Sequence, residues 1–266
     1  MSFLEKMDQN MEQADAAKKS PFEEIMRSLE RPAGREIIGP VNEKVELLPI
    51  TELKNIPDCP NAITRGNPFK LSELVDYKQG DAIWTVQGNC GLVSSRNLLA
   101  LSGKRQVSEA FITKYAIEKN LCANAPFMPA SERGGTTKET REVLLRELGL
   151  KVQNWESGDP TVDKNRIANA LDQGYRGIMS INCGVLWNKP QFLSTTADGR
   201  LRSNHVITLL SAVRDGSTGE VKGFFICDSG TGEKCRYVTA DLLMKSFNAR
   251  NAVVQMTTKP MKGVNA

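Results

Sequence analysis

The chain has 266 residues and a single histidine, His205. Imidazole is the usual general base near neutral pH, so an enzyme of that kind has one possible address for it here. A zinc centre built from several histidines is excluded, and so is any mechanism that needs two. Cysteine is present, but not in metal-binding or dithiol spacing. Cys59, Cys90, Cys122, Cys183, Cys227 and Cys235 lie far apart, and no C-x-x-C pair occurs. No run approaches the ~18 apolar residues of a membrane span. The opening MSFLEKMDQNMEQADAAKK lacks the apolar core of a secretory signal. A membrane partner and a disulfide framework are therefore not expected, and the cysteines other than Cys90 read as small buried hydrophobes in a reducing compartment such as the cytoplasm. Aromatics make up only 6% of the chain, and its 35 basic residues are scattered among 31 acidic ones. That pattern gives no basic, aromatic-studded face for a nucleic acid.

What is present is the material of a globular domain, 40% hydrophobic and 25% charged. Residues 1–70 read as an N-terminal extension or linker. Two short amphipathic stripes come first (Phe3, Leu4, Met7, Met11, then Phe22, Ile25, Met26, Leu29). An arm from Arg31 to Pro68 follows, broken by repeated Pro and Gly. Residues 71–266 read as one domain. Gly91–Leu101 has helical periodicity with Val93, Asn97, Leu98 and Leu101 inward. Ser108 is placed to cap a helix that turns Phe111, Ile112, Tyr115 and Ala116 inward. Thr136-x-x-Glu139 has capping-box form ahead of Val143, Leu144 and Leu148, with Gly149 at the C′ position. A fourth helix, Arg166–Gln173, stops at Gly174. The period then changes to two, which predicts strands at Gly177–Asn182, His205–Val213, Val221–Asp228 and Arg236–Thr239, with a hairpin loop over Arg214–Glu220. Helices followed by an antiparallel sheet is an α+β domain.

Cys90 sits in Trp84-Thr-Val-Gln-Gly-Asn-Cys-Gly-Leu, just where a helix is predicted to start. Free backbone N–H groups and the helix dipole favour a thiolate at that position, and Gly88 and Gly91 let the backbone bend round an accessible sulfur. A thiolate nucleophile needs a proton acceptor that becomes its counter-ion, and only His205 can serve. His205 opens the strand Asn204-His-Val-Ile-Thr-Leu-Leu. The next strand, Phe224-Phe-Ile-Cys-Asp-Ser-Gly, ends in Asp228. If the two are antiparallel neighbours, Asp228 falls at the same sheet edge and can orient the ring. Oxyanion donors would be the Cys90 amide with the Gln87 side chain, or with Asn89 as second choice. Trp187, after the Cys183-Gly strand end, and Gly134–Gly135, which allow a close backbone approach, are candidates for a substrate groove.

These motifs resemble the papain-like cysteine peptidases: Cys-Gly opening a helix, Asn-His-Val opening a strand, a polar residue ending the next. Asp228-Ser-Gly-Thr-Gly is closer to the bacteriocin-processing peptidases that cut after double glycines. Closer still are papain-like toxin domains of interbacterial effectors, in the runs Cys90-Gly-Leu-Val-Ser-Ser-Arg-Asn-Leu-Leu, Val107-Ser-Glu-Ala-Phe, Gly134-Gly-Thr-Thr, Asn204-His-Val and Ile226-Cys-Asp-Ser-Gly. The resemblance spans roughly residues 82–254. It implies a papain-like fold, a nucleophilic Cys90, a base His205, an orienting Asp228 (Asn in plant and lysosomal members) and an oxyanion donor near Gln87. No metal or cofactor is implied. The partners implied are a protein substrate and, for a toxin delivered into a target cell by a secretion system, a cognate immunity protein. Two other functions suit the same residues. One is glutamine deamidation or transglutamination by the same triad; the other is a non-enzymatic binding module on a peptidase fold.

Overall fold

The computed structural model describes residues 47–104 and 106–261, which lie in one compact unit running from Lys44 to Ala266. The two amphipathic stripes expected before residue 30 fall outside the described residues.

The centre is an eight-stranded sheet in which every pairing is antiparallel. Its strands are β1 (Ile50–Glu52), β2 (Ala62–Arg65), β3 (Val152–Glu156), β4 (Gly177–Ile181), β5 (His205–Asp215), β6 (Val221–Asp228), β7 (Glu233–Thr239) and β8 (Val253–Thr257). β5 is the spine. β6 runs along one of its edges; β4 takes the start of the other edge and β2 the end. Beyond β4 lie β8 and then β3, and beyond β6 lies β7. Residues 205–213 are buried without a break, so both faces of β5 are covered and its side chains need not alternate apolar with polar.

The helices are α1 (Pro68–Ser72), α2 (Cys90–Leu101), α3 (Glu109–Glu118), α4 (Lys138–Glu147), α5 (Pro160–Asp172), α6 (Cys183–Leu186) and α7 (Ala240–Phe247). None is long and apolar enough to cross a membrane. Local chemistry sets their starts. Ser108 accepts from the Phe111 amide, and Asp159 accepts from the amides of Thr161 and Val162 ahead of Pro160. Gly149 and Gly174 end α4 and α5 at φ of +85° and +86°, a conformation glycine adopts without strain. α2 packs on β5 and β4. Leu92, Leu98 and Leu99 join Ile112, Leu144, Leu145, Ile178 and Val206 in one apolar cluster. Leu101 joins a second cluster with Leu210, Val213 and Phe225, which also takes in Leu53, Ala62 and Leu71.

The α+β class and the expected hairpin across Arg214–Glu220 are observed, with four differences. The sheet extends N-terminal of the expected start at Leu71, because β1 and β2 are strands within the stretch read as an irregular arm. That stretch reads as punctuation because its strands are only 3 and 4 residues long, too short to show a period. The helices and strands also interleave: β3 stands between α4 and α5, and β8 follows α7. The capping box is one residue later than expected, Thr137 with Thr140, because Thr136 is drawn into contact with Arg141. Finally, α5 starts at Pro160, six residues before the predicted Arg166; Asp159-Pro160 is itself a start signal.

Candidate active site

Cys90 is the first residue of α2, and its helix tip faces the start of β5. Two buried polar side chains on α2, Ser94 and Asn97, fix that tip. Ser94 donates to the Val206 carbonyl at 3.0 Å. Asn97 donates to the Thr208 hydroxyl at 3.2 Å and to the Asp76 carbonyl at 2.8 Å, and accepts from the Asp76 amide at 2.7 Å. Such polar contacts have directional demands that apolar packing lacks, so they set the rotation of the helix over the sheet. Gly91 is close against α4: a Cβ there would stand 2.0 Å from Thr136 Oγ1. The preceding turn is braced by the 121–136 loop, with Gln87 N–H donating to Ala130 O at 2.8 Å and Gly88 N–H to Arg133 O at 2.9 Å.

His205 opens β5, and its Nε2 lies 2.8 Å from Asp228 Oδ1, so Nδ1 is left for the thiol. Asp228 ends β6, the antiparallel neighbour of β5, and the carboxylate is fully enclosed. Oδ1 also accepts from the Gly230 amide at 3.0 Å, and Oδ2 accepts the Trp187 indole N–H at 2.7 Å. The Trp187 ring lies edge-on to the imidazole with centroids 5.2 Å apart. Gly230 is held to the pair so closely that a Cβ there would lie 2.9 Å from His205 Cε1 and 2.8 Å from the indole.

The charges follow from this packing. Burial opposes ionisation of the Cys90 thiol, yet the His205 charge beside it holds the thiol below its ordinary value, with help from the Val206 backbone and Arg141. Burial opposes protonation of His205, but the Cys90 and Asp228 charges outweigh it and push the imidazole up to about 10. Asp228 stays below the usual carboxylate range: burial works against that, and the bonds from His205, Trp187 and Gly230 overcome it. The other five cysteines move the opposite way. Burial pushes Cys122, Cys183 and Cys235 up to about 11 and Cys227 to about 12, and also raises Cys59. All six are free thiols.

No family model and no curated protein matches the chain in sequence. Two solved structures align with part of the chain. A double glycine motif protease from an AMS/PCAT transporter, solved with a leader peptide, aligns at 14% identity over 65% of this chain and 86% of its own, with a TM-score of 0.39. A putative C39-like peptidase from Bacillus anthracis aligns at 12% identity over 72% and 98%, with a TM-score of 0.45. The arrangement expected of a papain-like fold, a thiol-bearing helix tip against a sheet carrying the histidine and its carboxylate, is the arrangement observed in this chain.

The remaining expected residues sort differently. Gln87 is exposed on the turn before Cys90, and its side chain makes no hydrogen bond among the described residues. Asn89 is not available as an oxyanion donor: it is fully buried, and its amide donates to Glu109 Oε1 at 2.7 Å and Thr113 Oγ1 at 3.3 Å. Gly134 does not line a groove either. It is buried beneath the Cys90 turn at φ +93°, where a Cβ would stand 2.7 Å from Asn89 Cβ. Gly135 belongs to the same brace, its carbonyl accepting from Ala123 N–H at 2.8 Å. Trp187 lies at the site, but as a partner of Asp228 and His205 rather than on an open groove wall. Sequence reasoning missed Glu109, whose carboxylate also accepts from the amides of Gly80 and Ala82 and so ties that loop to Asn89. It also missed Arg141 and Gly230. Only Gly230, in the Asp-Ser-Gly run, carried a local signal.

Proposed function

We propose that the protein is a cysteine endopeptidase acting on a protein substrate, with Cys90 as nucleophile, His205 as general acid–base and Asp228 as the residue that orients the ring. One observation carries the reading: a single imidazole bridges a carboxylate, at 2.8 Å, and the only cysteine whose thiol is held below its ordinary value. In the proposed reaction the Cys90 thiolate adds to the scissile carbonyl. The tetrahedral intermediate collapses as His205 protonates the leaving amine, giving a thioester. His205, now neutral, takes a proton from water, which attacks the thioester; the C–S bond breaks and the electron pair returns to sulfur. The Cys90 amide and the free Gln87 side chain are the donors offered to the oxyanion. A peptide substrate is supported by exposed apolar side chains on both flanks. Trp84 stands on the segment leading to Cys90, Phe127 on the loop that braces it, and Phe192 packs beside Trp187, the partner of His205 and Asp228.

The chemistry is tested by expressing the protein and its Cys90→Ala and His205→Ala variants in a bacterial host and mapping protein N-termini. New N-termini with the active chain alone are the expected result. A mass gain of about 1 Da at glutamine instead would mean deamidation by the same three residues, and cross-linked glutamines would mean transglutamination. No change with any form, from a folded chain, would leave a binding module. Delivery as an interbacterial toxin, with an immunity protein as inhibitor, is the setting that the sequence resemblance suggests. Growth arrest that needs Cys90 and is relieved by the neighbouring gene product is its expected signature.

A further inference from the structure

Arg141, on α4, is enclosed at 3% exposure, and every hydrogen-bond acceptor it has is neutral. Nε donates to Gln255 Oε1 at 2.6 Å and Nη2 to Ser180 Oγ at 2.9 Å. Nη1 donates to the Thr136 hydroxyl at 3.2 Å and to the Thr136 carbonyl at 3.4 Å. Among the described residues no carboxylate lies within ion-pair distance of it. Glu139, the acid whose field reaches Arg141, is partly exposed and faces Lys138 at 3.9 Å. A buried guanidinium keeps its proton, and a buried charge with no counter-ion is strongly unfavourable. Arg141 packs under the first turn of α2. A Cβ on Gly91, the residue after Cys90, would lie 3.3 Å from Arg141 Cδ and 2.0 Å from the Thr136 hydroxyl that Arg141 binds.

We propose that Arg141 is a positioning residue of the Cys90 site, a second cation that shares the Cys90 thiolate as counter-ion with His205. The inference rests on Cys90 being the nucleophile. Gln255 on β8 and Ser180 on β4 fasten this cation to the sheet, and Thr136 fastens it to the brace beneath α2. Its consequence is mechanistic. When the thioester breaks and sulfur regains its electron pair, His205 is engaged with the proton of water, while Arg141 keeps a positive charge beside the departing thiolate. The other titratable groups facing Cys90 are His205 on β5 and Cys183 on α6; burial pushes Cys183 up to about 11, so it stays neutral. Asp228 acts on Cys90 through His205.

The test is the pH dependence of Cys90 alkylation by iodoacetamide, read by intact mass, which needs no substrate. For the wild type the midpoint is expected below the ordinary thiol value of 9.0. Arg141→Gln should raise it by about 1 pH unit and slow alkylation about tenfold at pH values below the wild-type midpoint. Arg141→Lys should restore most of the loss. An unchanged midpoint in a folded Arg141→Gln protein, checked by circular dichroism, would overturn the proposal. Should Arg141→Gln not fold, Arg141→Met, which keeps the buried stem without the charge, is read in the same way: a higher midpoint is expected, and an unchanged one overturns the proposal. A wild-type midpoint at 9.0 sinks the nucleophile reading itself, and the role of Arg141 with it.

Discussion

Burial alone would neutralise each member of the Cys90–His205–Asp228 row, and mutual contact is what keeps all three charged. That fixes the sign of the pH response. His205 has a raised value, so the stability drawn from its charged form is full below 6.5 and lost as the pH rises through about 10. Cys90 has a lowered value, so its contribution is present above 9.0 and lost as the pH falls through the lowered value. Both partners of the pair are charged between the lowered Cys90 value and about 10. Cys90 alkylation should rise below pH 9.0 and change again near pH 10; a single rise centred on 9.0 would mean that no pair forms. Trp187→Phe keeps the aromatic packing on His205 but removes the donor to Asp228 Oδ2. Hydrogen bonds to charged groups are worth about 1.5–3 kcal/mol, so the proposed peptidase activity should fall roughly 10- to 100-fold while thermal unfolding moves by only a few degrees. Unchanged activity would show that the indole N–H is not used.

At the scale of the element, α2 has two jobs that different residues perform. Leu92, Leu98 and Leu99 anchor it in the core, and Ser94 and Asn97 set its orientation over β5. The two should separate experimentally. Leu98→Ala, at a fully buried position, should cost about 2–5 kcal/mol of stability by denaturant titration, with a proportionate loss of folded protein and little effect on the activity of what remains folded. Asn97→Ala removes bonds to Asp76 and Thr208 and leaves the part-buried Asp76 amide unpaired, at a cost of about 1–3 kcal/mol. It should in addition lower activity per folded molecule, because the tip that carries Cys90 is no longer registered against His205. The helix itself was legible in the sequence: its inward residues Val93, Asn97, Leu98 and Leu101 are all buried. What the period did not reveal is that Asn97 and Ser94 bond to the strand carrying His205, since a partner more than a hundred residues away leaves no local pattern.

At the scale of the whole molecule, residues N-terminal to Leu71 are part of the sheet. β2 pairs with β5, and Leu53 and Ala62 join the cluster of Leu210 and Phe225. A chain truncated before Leu71 should lose its cooperative unfolding transition, because an edge of β5 and a buried apolar surface would then face water. Retention of a sharp melt by that chain would show that the arm is dispensable.

The pieces of chemistry are legible in the chain alone: one possible base, one cysteine at a helix start, an acidic residue ending the strand after the histidine. These are properties of local period and composition, so neighbours along the chain suffice to read them. The tertiary structure decided what surrounds the pieces. It turned Asn89 toward Glu109, put Gly134 under the turn instead of in a groove, stood Trp187 on Asp228, and buried an arginine with neutral partners beneath the first turn of α2. Each depends on contacts between segments far apart in the chain, where burial and the geometry of the partner set a side chain's role.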